Sequence, residues 1–226
     1  MNDIRKYAVL VAGGKGMRMG AALPKQFLPL GGKPLLAHAI LAFKQAIPDI
    51  NIILVLPADQ LSYGHTVLNS LPEAIDVTIV TGGEARFHSV QNGLNAIDAE
   101  GIVFVHDGAR PLVSADLIKR CYEQAMSKGS AIPAIPVTDS IRTASGDTSA
   151  PLNRDHLRII QTPQTFRTEI ILPAFTQEYR AAFTDEATVV EASGIPVFLI
   201  EGERSNLKVT TPEDMRIAEA LLPTVV

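Results

Sequence analysis

The residues best suited to chemistry stand near the start of the chain. An apolar run, Tyr7-Ala8-Val9-Leu10-Val11, leads into Ala12-Gly13-Gly14-Lys15-Gly16-Met17-Arg18-Met19-Gly20, and Leu23-Pro24-Lys25-Gln26-Phe27 follows. Glycines let backbone N–H groups approach phosphate oxygens, and a helix N-terminus behind such a loop adds positive potential. Arg18 and Lys25 supply two fixed cations beside that nest. The combination suits a polyphosphate whose charge must be spread during reaction. Two familiar phosphate loops do not fit. A Walker A loop needs Ser or Thr after Gly-Lys, but Gly16 follows Lys15; a dinucleotide fingerprint needs a third glycine where Met19 stands. On its glycines alone the segment reads equally well as a tight turn.

The elements around this loop follow from apolar patterning. Further runs at Ile50–Leu56, Val77–Val80, Ile102–Val105, Ala131–Val137 and Val197–Ile200 are nearly continuous. They are not alternating, which marks strands covered on both faces. Helix-period segments lie between them. Leu35, Leu36, Ala39, Ile40 and Phe43 share a face, as do Val90, Leu94 and Ile97. Ser114 caps a stripe of Leu117, Ile118, Cys121 and Ala125 that stops at Gly129, and Thr211-Pro212-Glu213-Asp214 opens the last helix. Pro173 disturbs the helical pattern after Thr168. The rhythm predicts an α/β fold: a Rossmann-like three-layer sandwich with a mostly parallel sheet and ligands at its carboxyl edge. One polar segment, 138–160, breaks the rhythm. Ser140–Thr143 and Leu157–Ile160 are expected as the arms of a protruding β-hairpin, with a turn at Ser145–Ser149. That arm is too poor in apolar residues to stand alone, so it should lean on a partner subunit.

Length and composition set the frame. With 226 residues, a single domain spanning 1–226 is expected, with 138–160 as an arm within it. The net charge of −4 argues against a nucleic-acid binder, and 5% aromatics with no Trp argues against stacking platforms for single strands. The lone Cys121 excludes an intrachain disulfide and a multi-cysteine metal site, and is expected in the core. No apolar run reaches the ~18 residues of a membrane span, and Met1–Lys6 does not read as a signal peptide. The expectation is a cytoplasmic protein with no membrane or nucleic-acid partner.

The chain resembles the nucleotide-sugar-transferase-like cytidylyltransferases, and within them those that act on methylerythritol phosphate in the non-mevalonate isoprenoid pathway. The resemblance covers essentially the whole chain. It is carried by Ala-Gly-Gly-x-Gly-x-Arg-Met at 12–19, Pro-Lys-Gln at 24–26 and Gly-Gly-Glu-x-Arg-x-x-Ser-Val at 82–90. Val-His-Asp-Gly-Ala-Arg-Pro at 105–111, Asn-Arg at 153–154 and Gln-Thr-Pro-Gln at 161–164 continue it. Thr-Asp-Glu-Ala at 184–187 and Asn-Leu-Lys-Val-Thr at 206–210 complete it.

The resemblance implies cytidylyl transfer from CTP to 2-C-methyl-D-erythritol 4-phosphate with release of pyrophosphate. The attacking phosphate, with a second pKa of about 6, is already mostly dianionic at pH 7 and needs no general base. That agrees with a sequence holding no convincing Ser-His-Asp or Cys-His set. Arg18 and Lys25 match the residues that stabilise the α-phosphate. Ala12, Gly13, Gly14 and Gly16 would hold the nucleotide's phosphates. Gly83, Glu84, Arg86 and Ser89 match the stretch that recognises cytosine, where Asp is commoner than Glu84 and where Ser89 also reads as a helix start. Asp107, ending the fourth strand, would touch the nucleotide and hold Mg²⁺, which binds through one or two carboxylates plus substrate phosphates. Arg110, Ser140, Arg154 and Lys208 match positions that hold the sugar phosphate. Gly108 replaces a more usual Ala and should loosen its turn. Asp185 reads either as a second acid or as a helix start, and His106 is not expected to be a ligand. The family's hairpin crosses a homodimer, so arm exchange is expected here.

Three other readings compete. A ribitol 5-phosphate cytidylyltransferase shares the glycine loop and Gln-Thr-Pro-Gln, but His106–Arg110 and Pro136–Ser140 lean toward methylerythritol. A catalytically silent nucleotide-binding module would be expected to lack the cations at 18, 25, 154 and 208. An NAD-dependent oxidoreductase is disfavoured by Met19. Seven of the 20 basic residues (Lys15, Arg18, Lys25, Arg86, Arg110, Arg154 and Lys208) belong to segments expected around one site. An acidic shell with a small basic focus suits a compact polyphosphate.

Overall fold

The computed structural model describes residues 4–13 and 23–222. The chain opens with β1 (Arg5–Val11), a short ribbon of β2 (Pro29–Leu30) and β3 (Lys33–Pro34), and α1 (Leu35–Ala46). Next come β4 (Asn51–Leu56), α2 (Leu61–Asn69), β5 (Val77–Thr81), α3 (Arg86–Leu94) and β6 (Gly101–Asp107). The second half holds α4 (Ala115–Lys128), β7 (Ser130–Pro136), β8 (Ile141–Ser145) and β9 (Thr148–Leu152). It closes with β10 (Arg158–Ile160), β11 (Gln164–Arg167), α5 (Thr168–Ala174), α6 (Glu186–Ala192), β12 (Leu199–Glu201) and α7 (Pro212–Leu221).

The main sheet runs β10-β7-β11-β6-β1-β4-β5, with β12 alongside β7. β1 pairs in parallel with β4 and β6, and β4 with β5. The register places Val11 opposite both Val55 and Asp107, so three carboxyl ends lie side by side. β10 and β11 run antiparallel to β7 in succession, with Ile160 opposite Ala134 and Thr165 opposite Ala131. Residues 161–163 fall between those two pairings.

Successive side chains of a strand point to opposite faces. Ala8 and Leu10 of β1, with Ala12 just after it, therefore join one core with Ile40, Phe43, Leu117 and Cys121 of α1 and α4. Tyr7, Val9 and Val11 join another with Phe87, Val90, Ile171 and Val190 of α3, α5 and α6. Helices cover both faces, as the continuous apolar runs require, and the three-layer α/β expectation holds. Caps are where their signals stand: Ser114 Oγ accepts from Leu117 N at 3.0 Å, Gly129 ends α4 with φ +88°, and Thr211 and Asp214 form a capping box. Among the described residues no helix is long and apolar enough to cross a membrane.

The hairpin differs from the expectation. β8 pairs with β9, Ser145 opposite Thr148, so the arm is 141–152. Leu157–Ile160 is not its second strand; Arg158–Ile160 is β10 and pairs with β7 in the main sheet. The physical reason is the turn. Gly146, at φ +55°, lets the chain reverse within two residues, and β8 pairs with what comes next. Every residue from 142 to 156 is exposed.

Candidate functional site

A cavity of about 330 Å³ opens at the carboxyl edge of β1 and β6, beside the segment that follows β5. Its walls come from distant segments. β1 and the residues after it bring Val11, Ala12 and Gly13; the turn that follows brings Lys25 and Gln26. The loop into α3 brings Gly83, Glu84 and Ala85, the start of α3 brings Arg86 and Ser89, and the far side holds Asp107, Ala109 and Lys208. Gly93 lets α3 sit close to the sheet, since a Cβ there would meet Val9 Cγ1 at 2.5 Å and Val55 Cγ2 at 2.9 Å. That approach delivers the first turn of α3 to the cavity.

Asp107 is the electrostatic centre. Arg86 Nη1 donates to its Oδ1; Lys208 Nζ lies 2.8 Å and Arg110 Nε 3.7 Å from its Oδ2. Arg86 also reaches Glu186, Nη2 to Oε1 at 3.0 Å. Burial alone would raise the Asp107 carboxyl, but Arg86, Lys208 and Arg110 outweigh it and hold the group far below the usual carboxylate range. Burial prevails at Glu186, whose carboxyl is raised despite Arg86. Burial alone would lower Arg86, yet the two carboxylates raise it, so it stays charged.

His106 is buried and lies behind this cluster. Asp107 N donates to Thr162 Oγ1 at 3.0 Å, which leaves the Thr162 hydroxyl hydrogen for His106 Nδ1 at 3.1 Å. His106 Nε2 then donates to Arg110 O at 3.1 Å. Burial pushes the imidazole down to about 4. A neutral ring with both nitrogens engaged serves as a strut between Thr162 and Arg110.

The loop 82–89 is fastened by Ser89. Gly83 N donates to Ser89 Oγ at 3.1 Å, and that hydroxyl lies 3.1 Å from Ala85 O. Lys25 Nζ donates to Val209 O at 2.8 Å, joining its turn to residues 207–210. Gln26, buried beside it, donates from Nε2 to Ala12 O at 2.7 Å and to Gln60 Oε1 at 2.6 Å.

The structure therefore brings Ala12, Gly13, Lys25, Gly83, Glu84, Arg86, Ser89, Asp107 and Lys208 around one cavity. Gly14, Gly16 and Arg18 lie outside the described residues. Arg110 comes to Asp107 from behind; it is only 8% exposed, and its Nη1 donates to Asn206 O at 2.7 Å. Ser140 and Arg154 do not line the cavity. Both are exposed at the base of the hairpin, and Arg154 Nη1 donates to Thr138 O. Asp185 proves to be a helix start, its Oδ1 accepting from Thr188 N at 2.9 Å and its Oδ2 from Gln164 Nε2 at 3.0 Å. Gly108 does not loosen its turn. It is buried, and a Cβ there would meet Ala12 Cβ at 2.9 Å and Leu36 Cδ1 at 3.0 Å.

Sequence reasoning missed Glu186, Gln26, Gln60 and the joinery of residues 161–164. Gln161 Nε2 donates to Glu203 O at 2.7 Å, Thr162 braces Asp107 and His106, and Gln164 Oε1 accepts from Ala187 N at 2.8 Å. Gln-Thr-Pro-Gln thus ties the site's far wall together. Among the described residues no group of three His, Cys, Asp or Glu could hold a metal ion. A divalent cation here would rest on Asp107 and on oxygens that a ligand brings.

The family model described as 2-C-methyl-D-erythritol 4-phosphate cytidylyltransferase matches residues 7–224. A protein of that name from Bacteroides thetaiotaomicron is 45% identical over 219 residues, 97% of this chain and 100% of its own. One from Phocaeicola vulgatus is 46% identical over 219 residues, with the same coverage. The crystal structure of the Thermus thermophilus enzyme of that name superposes with TM-score 0.75 at 33% identity, covering 94% of this chain and 96% of that one. That of 4-diphosphocytidyl-2C-methyl-D-erythritol synthase from Anaerococcus prevotii gives 0.80 at 27% identity, covering 96% and 97%.

Proposed function

The chain belongs to the 2-C-methyl-D-erythritol 4-phosphate cytidylyltransferase family, and from that premise we propose how its cavity performs the transfer. The reaction joins CTP to 2-C-methyl-D-erythritol 4-phosphate, giving 4-diphosphocytidyl-2-C-methyl-D-erythritol and pyrophosphate. A phosphate oxygen of the sugar alcohol attacks the α-phosphorus of CTP, and the bond to the bridging oxygen of pyrophosphate breaks. No proton need leave the nucleophile, since its second pKa is about 6. The protein's task is positioning and charge neutralisation.

In this reading Ala12 and Gly13 begin the phosphate-binding loop, with Gly14 and Gly16 continuing it. Lys25 faces the α-phosphate, together with Arg18. Gly83, Glu84 and Ser89 form the cytosine end. Asp107 is fixed by Arg86 so that it meets the nucleotide at a set angle. Lys208, half exposed, exchanges Asp107 for the incoming sugar phosphate. Arg110 orients Asp107 from behind and adds positive potential toward that phosphate. The observation that carries the reading is the gathering of Arg86 and Lys208 on one ionised carboxylate, Asp107, in a cavity that Lys25 also lines.

Mg²⁺ fits this site as an ion carried by the nucleotide. Asp107 is ionised, but Arg86 and Lys208 already engage its two oxygens. Asp107 would therefore offer one ligand, and the ion would supply further neutralisation of the triphosphate.

Ser140 and Arg154 stand at the base of the arm and line no wall of their own cavity, so we assign them to the site of a second protomer. That makes the working unit a homodimer with exchanged arms, in the cytoplasm, where CTP is supplied.

The assay is direct. Purified protein with CTP and Mg²⁺ should release pyrophosphate with methylerythritol phosphate, and far less with ribitol 5-phosphate. The reverse preference would overturn the substrate assignment. Activity should also decline below about pH 6, as the attacking phosphate takes up a proton.

A further inference from the structure

Gln26 is only 1% exposed, yet it lines the nucleotide cavity. Its side chain reaches back fourteen positions to Ala12 O, across the two stems of the glycine loop. Ala12 is held at its other end as well, where its N–H donates to Val55 O at 3.0 Å. The second amide hydrogen of Gln26 goes to Gln60 Oε1 at 2.6 Å. Gln60 is itself buried, 6% exposed, at the end of the 3-10 turn after β4. The same region grips the next residue: Phe27 stacks on Tyr63 of α2, ring centroids 5.2 Å apart. Residues 25–27 form one 3-10 turn, with Gln26 and Phe27 buried and Lys25 facing the cavity.

Gln26 Oε1 is buried and accepts no hydrogen bond among the described residues. Buried polar atoms are satisfied in the large majority of cases, and each exception calls for a reason. Packing alone would favour an apolar side chain here. What the amide supplies is its two donors, to Ala12 O and Gln60 Oε1.

We infer that Gln26 and Gln60 are positioning residues for the transfer. Together they lock the turn that carries Lys25 to the peptide that opens the glycine loop. This rests on the reading of the cavity as the CTP site. The two amides act through Lys25, not on substrate. A displacement of an ångström in such a cation is enough for a loss of about 100-fold.

The test uses full-length enzyme with CTP, Mg²⁺ and methylerythritol phosphate. Wild-type turnover checks the underlying reading; the variants check the inference. Gln26→Met keeps the length and removes both donors. It should lower kcat by roughly 10- to 100-fold, with KM for CTP within about threefold of wild type. On a Lys25→Ala background the same substitution should cause little further loss. An equal loss on both backgrounds would overturn the inference, because Gln26 would then act independently of Lys25. Should Gln26→Met fail to fold, the Gln60 pair decides. Gln60→Glu keeps the acceptor and should retain most of kcat, whereas Gln60→Leu should lose it. Equal activity in those two variants would overturn the inference as well.

Discussion

Arg86 and Glu186, a hundred positions apart, meet at 3.0 Å beneath the cavity that Lys25, Asp107 and Lys208 line. The Glu186 carboxylate is 1% exposed and sits on the side of Arg86 away from the ligand space, while the other guanidinium nitrogen holds Asp107. A row of carboxylate, guanidinium and carboxylate is thereby set into the wall, with Lys208 at its outer end. The order fixes the division of labour. The inner three groups are buried enough to stay put, and Lys208, 45% exposed, is free to change partners.

Glu186→Gln is expected to separate stability from activity. Burial already favours the uncharged form of this group, and an amide oxygen can still accept from Arg86. Unfolding free energy should therefore stay within about 1 kcal/mol of wild type by urea titration. Turnover should fall several-fold, because Arg86 loses half of its anchoring and Asp107 its fixed angle. Full turnover in this variant would show that Arg86 needs no second carboxylate.

Lys25 and Lys208 should give opposite kinetic signatures. On the proposed reading, Lys25→Ala removes charge stabilisation at the α-phosphate and should lower kcat by at least about 100-fold. On the same reading, Lys208→Met removes the proposed contact with the sugar phosphate. Its main effect should be a rise of about 10-fold in KM for methylerythritol phosphate, with KM for CTP nearly unchanged. Steady-state kinetics with each substrate varied in turn distinguishes the two.

His106 makes stability depend on pH. Its folded pKa is about 4, below the ordinary value of 6.5, because burial disfavours the imidazolium. In acid the unfolded chain therefore binds the proton more readily than the folded one. The contribution is complete above about pH 6.5 and is lost progressively as pH falls toward 4, a total of about 3 kcal/mol. Urea midpoints measured from pH 7.5 to 4.5 should fall over that window. A His106 ring proton that titrates near 6.5 in the folded protein, followed by NMR, would remove this account.

Different parts of this architecture were written in the sequence at different ranges. β1, β4 and β6 were legible because strands covered on both faces leave unbroken apolar runs, and the register that aligns Val11 with Asp107 follows from parallel pairing. Ser114, Gly129 and Thr211 were legible because a cap is a local device. The hairpin's second strand was not. Gly146 decides the pairing by turning early, and Ile159 and Ile160 are apolar because they belong to the main sheet. Glu186 was hidden by its neighbour, since Asp185 carries the whole helix-start signal and the partner Arg86 is far away in sequence. Gln26 and Gln60 carry no charge and no period; only the fold brings them together.

The exposed arm yields the sharpest test of assembly. Arg154 lies at the foot of a hairpin whose two strands, among the described residues, pair only with each other, and it lines no wall of its own cavity. If each site takes Lys25 from one chain and Arg154 from the other, two inactive variants should complement. Homodimers of Lys25→Ala lack the cation in both sites, and homodimers of Arg154→Ala lack the phosphate contact in both. In a heterodimer one site combines the wild-type Lys25 of one protomer with the wild-type Arg154 of its partner, and the other site lacks both. Random pairing makes half of the dimers mixed, and half of their sites are intact, so about one quarter of wild-type activity should return in an isologous dimer. The measurement is pyrophosphate release after co-expression of the two variants, with each variant alone as control. Recovery near one quarter places Arg154 in its partner's site; no recovery, with mixed dimers demonstrated by mass, returns it to its own chain.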